Sequence, residues 1–232
     1  MDAHAGNDVT IDSGRYTLQL QSSHTIGSPS GIYAGNKKNV TVTAGKLNII
    51  TSGMTGGNSL TNGIWLDAPA GGSSSITIHA PTTNIAMTGG YGGNGIAIQK
   101  TDRWGEASDA AAGTNKITLD GNLNIKGADS ATWGIGLNPE NVYSRFNNAG
   151  ILTSVKNSEV EVKGLANMDV YGNGITVNAA GSKVSIGGGT IHVPSGRNYG
   201  YYTLGAYQGT INVNTGTAGS APGPQQVQLN GD

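Results

Sequence analysis

GGYGGNGIAI, residues 89–98, admits two readings, and the choice between them decides the fold. It nearly fits the calcium β-roll nonapeptide G-G-x-G-x-D-x-U-x, with Asn94 where the aspartate belongs. It also ends in Asn-Gly-Ile, a step that recurs at Asn62 and Asn173, where no nonapeptide match exists. A calcium roll needs consecutive nonapeptides, because each ion sits between neighbouring turns; here one imperfect copy stands alone. The stretch therefore reads as a glycine-rich corner of a repeating structure.

Outward from that corner, the Gly-Ile step recurs as SGIYAG at Gly31, NGIWLD at Gly63, WGIGLN at Gly134 and NGITVN at Gly174, with a weaker YGYYTL at Gly200. Gly31, Gly63 and Gly95 are spaced by 32 residues, and the next two intervals lengthen to 39 and 40. An apolar-polar-apolar triplet follows each step, at Val40, Ile76, Ile117, Val160, Val184 and Ile211, with an earlier copy at Val9. A third triplet follows the second: LNI at Leu47, IAM at Ile85, LNI at Leu123, MDV at Met168 and IHV at Ile191. Tyr16–Leu20 and VQL at Val227 fit the same slot.

Each triplet alternates with period two, so each predicts a short strand with two side chains in and one out. Gly, Asn, Ser and Asp separate them, the residues that turn corners, and no helical stripe of useful length occurs. Three short strands per repeat predict an all-β, parallel β-helix (a β-solenoid) of about six coils. At strand spacing that is a rod on the order of 30 Å long, with Ile, Val, Leu and Met inside.

Composition sets the outer bounds. The 232 residues suffice for one sizeable domain. No cysteine is present, which excludes disulfides and Cys-based metal sites. Charged residues are 12% and the net charge is -1, which argues against nucleic acid or an anionic membrane reached through bulk charge. No apolar run has transmembrane length, and MDAHAGNDVT lacks the apolar core of a signal peptide.

Catalytic and metal motifs are weak. The acids Asp67, Asp102, Asp120, Asp129, Glu140 and Asp169 are scattered over different slots, and no Asp-Asp pair occurs. IDSGRY at Ile11 lacks the leading Gly and the Pro of the G-D-S-G-x-P serine of chymotrypsin-like proteases. His4, His24, His79 and His192 show no metal-ligand spacing, and His192 is the outward residue of its triplet. No cofactor is implied. The outward slot of the second triplet reads Thr10, Thr41, Thr77, Thr118, Glu161, Ser185, Asn212, a row that suits an exposed strand.

Two features carry binding expectations. Tyr33 and Trp65 share one outward slot a coil apart; side by side, they form either an exposed platform for a ligand or a stabilising cross-strand pair. Two insertions, 99–116 and 138–157, lengthen the repeat and are expected to leave after the same strand and project together. They concentrate Arg103, Trp104, Glu106, Tyr143, Arg145 and Phe146; loops on a rigid scaffold commonly bind, although one could instead fold over a face. Tyr199, Tyr201, Tyr202 and Tyr207 form a weaker cluster.

The Gly-Ile steps together with NVTVT, GKLNIIT, GNLNIKG and GTINVNTG resemble the passenger domains of bacterial type V autotransporters of the AIDA and pertactin kind. The resemblance covers nearly the whole chain. It implies a right-handed β-helix displayed outside the outer membrane, attached only through a C-terminal translocator barrel. It implies adhesion to host cells, self-association and biofilm formation. On this reading residues 1–232 are one segment of a longer passenger. The expectation is a non-enzymatic adhesin whose partner is a host or bacterial surface glycan or protein, or a second copy. The alternatives are a structural spacer, or a β-helix polysaccharide lyase or hydrolase.

Overall fold

The computed structural model describes residues 2–3, 8–23, 30–35, 37–53, 61–68, 72–89, 93–100, 113–127, 149–170, 172–193, 202–213 and 227–231. These residues form a parallel β-helix with three seven-stranded sheets and no helix among them. Strands are numbered in chain order. The first sheet stacks β1 (Asp2–Ala3), β4 (Ser30–Ala34), β7 (Asn62–Asp67), β10 (Ile96–Gln99), β13 (Ala149–Thr153), β16 (Asn173–Val177) and β19 (Leu204–Ala206). The second stacks β2 (Val9–Asp12), β5 (Asn39–Thr43), β8 (Ser75–His79), β11 (Asn115–Leu119), β14 (Ser158–Val162), β17 (Lys183–Ile186) and β20 (Thr210–Val213). The third stacks β3 (Thr17–Ser23), β6 (Lys46–Gly53), β9 (Thr82–Gly89), β12 (Asn122–Lys126), β15 (Ala166–Asp169), β18 (Gly189–Val193) and β21 (Val227–Gly231).

Every neighbouring pair is parallel and in register, so like residues stack on like. Ile32, Ile64, Ile96, Ile151 and Ile175 make one inward row, fully buried. Val40, Ile76, Ile117, Val160 and Val184 make another. Each such side chain contributes roughly 1.5–3 kcal/mol by leaving water. One inward row is imperfect. Thr153 lies between Ile98 and Val177, fully buried, and its hydroxyl meets no partner among the described residues. Thr153→Val keeps the shape and removes the unmet hydroxyl. It is expected to raise stability by about 1 kcal/mol, read as a higher midpoint in thermal denaturation.

The corner reading of GGYGGNGIAI is supported by what Asn94 does. The Asn94 side chain donates to Asn62 Oδ1 at 3.3 Å and accepts from the Ala149 backbone N–H at 3.0 Å. Asn173 Oδ1 accepts from the Tyr202 N–H in the same way. These buried amides satisfy backbone groups where the chain bends into the first sheet.

Two Gly-Ile steps are displaced from their expected places. The strand stacked on β10 in the first sheet is β13, AGILT, with Ile151 opposite Ile96, so Gly150 takes the slot assigned to Gly134; WGIGLN lies outside the described residues. The last slot belongs to Leu204, opposite Ile175, rather than to the step at Gly200. The insertions move accordingly. Gln99 ends β10 and Asn115 opens β11, so the first added length connects the first sheet to the second. The stretch 138–157 contains β13, so the second added length precedes that strand and connects the third sheet to the first. The two lengths thus belong to different corners, and the expectation that they leave after one strand is overturned. The cause is physical: Ala149-Gly150 performs the close-packed corner as well as Asn-Gly does.

Candidate ligand groove on the third sheet

The three outer faces differ in how much binding capacity their side chains retain. On the first sheet, Tyr33 and Trp65 do stand side by side, with ring centroids 5.1 Å apart at 81°. They are not an exposed platform. Trp65 is only 9% exposed, and Ala97, Leu152 and Thr176 along the same row are buried. The Tyr33 hydroxyl donates to Asp67 Oδ2 at 2.9 Å, and the Trp65 ring N–H donates to the Gln99 carbonyl at 3.3 Å. The pair, with Trp65 buried and Tyr33 half-buried, is an edge-to-face contact that knits adjacent coils.

On the second sheet the row Thr10, Thr41, Thr77, Thr118, Glu161, Ser185, Asn212 is in register throughout. Charges flank it and answer one another. Lys116 reaches Glu161 at 2.9 Å and Glu159 at 3.6 Å, and Lys183 reaches Glu159 at 3.4 Å. Asp120 accepts from Lys163 at 2.7 Å and contacts His79. The Lys163 ammonium, and after it His79, hold the Asp120 carboxyl below its ordinary value. Because the folded state favours the ionised carboxylate, its contribution is present above pH 3.8 and is lost as pH falls below it. Asp120→Asn is expected to flatten the acid limb of a melting-temperature-against-pH curve. The effect stays under about 1 kcal/mol, since the pair is solvent-screened.

The third sheet is different. Leu47 and Ile49 point inward, so Asn48 and Ile50 point out; the same alternation turns Asn84, Asn124 and Asn167 outward. Asn is a poor strand former, yet here its amide meets an identical amide at every strand spacing. Asn84 Nδ2 donates to Asn48 Oδ1 at 2.8 Å, Asn124 to Asn84 at 2.8 Å and Asn167 to Asn124 at 3.1 Å. The Thr190 backbone N–H closes the row on Asn167 Oδ1 at 3.1 Å. This half-buried ladder floors a surface groove of about 660 Å³ that extends from Gln19 to Thr190 and His192.

A second outward row runs beside the amides. It is apolar at Ile50 and Ala86 and continues, in register, through Lys126, Asp169 and His192. His192 Nδ1 lies 2.9 Å from Asp169 Oδ1. His192 is outward and about half exposed, as its triplet predicts. Among the described residues no cluster of three or more metal-ligating side chains occurs.

An amide carries two N–H donors and two acceptor lone pairs. The ladder uses one of each on Asn84, Asn124 and Asn167, so each keeps one N–H and one lone pair. The groove therefore presents a repeated donor-acceptor couple next to a row that is apolar at Ile50 and Ala86 and charged from Lys126 on, a surface suited to a polar, extended ligand.

Arg103, Trp104, Glu106, Tyr143, Arg145 and Phe146 lie outside the described residues, as do Tyr199 and Tyr201. Tyr202 and Tyr207 are exposed and stack edge-on, with centroids 6.3 Å apart. The ladder itself escapes a triplet search. Its strand on β9 reads Thr83-Asn84-Ile85, and on β15 Ala166-Asn167-Met168. With Thr83 and Ala166 in the first inward place, the apolar frame slips two residues on, to IAM and MDV. A repeated Asn immediately before the apolar residue of the Ile49 row (Ile49, Ile85, Ile125, Met168) is the signal that finds it.

Comparison with protein-family models, with characterised proteins and with solved structures finds no match.

Proposed function

We propose that this protein is a non-enzymatic adhesin segment of the autotransporter passenger kind, displayed at a bacterial surface, whose ligand lies along the groove of the third sheet. The asparagine ladder is the observation that carries this reading. The first sheet's outer row is buried from Trp65 to Thr176, and the charges on the second sheet answer one another. The third sheet keeps unspent hydrogen-bonding groups at regular intervals beside apolar surface. The amide-amide bonds brace the stack, and half of the hydrogen-bonding capacity of Asn84, Asn124 and Asn167 is left over for a ligand. The ligand is a glycan or protein of host or bacterial surfaces, or another copy of the chain.

A second reading is favoured by one observation. Lys126, Asp169 and His192 share the groove, and a His-Asp pair can serve as a general base. Glycoside hydrolysis ordinarily needs two carboxylates facing the scissile bond, and Asp169 is the single carboxylate among the described residues that line the groove. Binding is therefore preferred over cleavage.

The test is adhesion of the purified protein to cultured cells and to a bacterial lawn, wild type beside Ala86→Trp. The tryptophan fills the groove from outside and leaves the core untouched. Loss of adhesion with an unchanged melt supports the groove; full adhesion by the variant moves the site elsewhere. Release of new reducing or unsaturated ends from polysaccharides, abolished by His192→Ala, would replace the binding reading with the enzymatic one.

A further inference from the structure

Resting on the groove reading above, we infer that the ligand is an uncharged, linear polysaccharide lying parallel to the axis of the helix, with its hydroxyls read by the asparagine ladder. Three observations combine. The first is direction: the amides run from strand to strand, so the ladder follows the stack rather than the strands. The ladder crosses four strand spacings from Asn48 to Thr190, roughly 19 Å, and the groove one more to Gln19, which calls for an extended and repetitive ligand.

The second is chemistry. A sugar hydroxyl donates one hydrogen bond and accepts others, and each of Asn84, Asn124 and Asn167 offers one acceptor and one donor after the ladder is made. Amide-amide bonds also fix every amide in one orientation, so the free N–H and the free lone pair repeat in the same sense at each coil. Ile50 and Ala86 run alongside and match the C–H face that a sugar ring shows at right angles to its hydroxyls. A peptide strand lying along the axis would present backbone amides too, but its alternating side chains would collide with an uninterrupted sheet face.

The third is charge. The ladder is neutral over its whole length. The charged groups of the groove lie in the neighbouring row, over the half that holds Asn124, Asn167 and Thr190; there Lys126 faces Asp169 in register and Asp169 contacts His192, so both signs of charge are present side by side. Nothing along the amide row selects an anionic or cationic polymer. The contrast between the apolar half, at Ile50 and Ala86, and the charged half gives the groove polarity, and with it a preferred direction for a chain that has distinguishable ends.

The experiment is titration calorimetry of the full chain with xylo-, malto- and cello-oligosaccharides of increasing length, with polygalacturonate as the charged counterpart, at low and high salt. The expected result is binding of at least one neutral series. Affinity should rise with length until the ladder is covered and should be indifferent to salt. Asn84→Leu and Asn124→Leu should each weaken it roughly tenfold, since each removes two neutral hydrogen bonds. Ala86→Trp blocks the groove with the ladder intact, so it decides the matter if a leucine variant folds poorly. Salt-sensitive binding of polygalacturonate alone overturns the inference of a neutral ligand. Absence of any glycan binding, with adhesion still abolished by Ala86→Trp, also overturns it and points to a protein ligand in the same groove. Absence of glycan binding, with adhesion unaffected by Ala86→Trp, removes both this inference and the groove reading.

Discussion

Ile96→Asp is expected to leave the purified chain without a cooperative thermal transition. Ile96 is fully buried and sits in register between Ile64 and Ile151. The substitution forfeits about 2–3 kcal/mol of apolar burial and introduces a carboxylate into a cluster of apolar side chains, worth about 3–5 kcal/mol more. Together these approach the whole stability of an ordinary domain, about 5–15 kcal/mol. The control is Thr41→Asp, in the outward row of the second sheet, where the cost is at most about 1 kcal/mol. Circular-dichroism melts of the two variants separate the inward from the outward register. Equal melting of both would refute the assignment of faces.

Gly95→Val carries the second large effect. A side chain there cannot be housed by rotating a neighbour. A Cβ on Gly95 would lie 2.7 Å from the Gly150 carbonyl oxygen and 2.5 Å from Ile125 Cδ1. Gly63 meets the Gly95 carbonyl at 2.6 Å and Ile85 in the same manner, and Gly150 meets the Gly174 carbonyl at 2.7 Å and Met168. The glycine column is the line along which the first and third sheets come closest. Its backbone also carries the stack: Gly95 donates to Ala149 O at 3.0 Å, and its own carbonyl accepts from Ile64 at 2.9 Å. Valine must push the coils apart there, at about 3 kcal/mol, the upper range for overpacking. Urea denaturation would show a lower midpoint, and a midpoint equal to wild type would contradict the close approach.

Repetition made the fold legible. Period-two triplets recur in a fixed order, and only a stack of parallel coils buries all of them at once. The second sheet reads most clearly, because both inward places are Val, Ile or Leu from Val9 to Val213. The first sheet reads clearly wherever its corner is Gly-Ile and fails at Leu204, where Thr203 and Leu204 stand in for that pair. The third sheet is the hardest. Thr83, Ala166 and Gly189 interrupt its first inward row, so a search for apolar frames shifts out of register just where the amides lie. Tyr33 and Trp65 show the opposite difficulty. Their adjacency follows from strand register, but the burial of Trp65 does not, because register says nothing of how exposed a face is.

The registry of the stack is indifferent to how much chain lies between its strands. Ile151 pairs with Ile96 across 55 residues of sequence, whereas Ile175 pairs with Ile151 across only 24. Roughly doubling a loop costs only about 0.6 kcal/mol of closure entropy, so a corner can grow without disturbing the ladder on either side. Such a molecule is a chassis. New sequence can be spliced into one corner while the neighbouring coils keep their alignment, so recognition can be revised one segment at a time without rebuilding the frame that presents it.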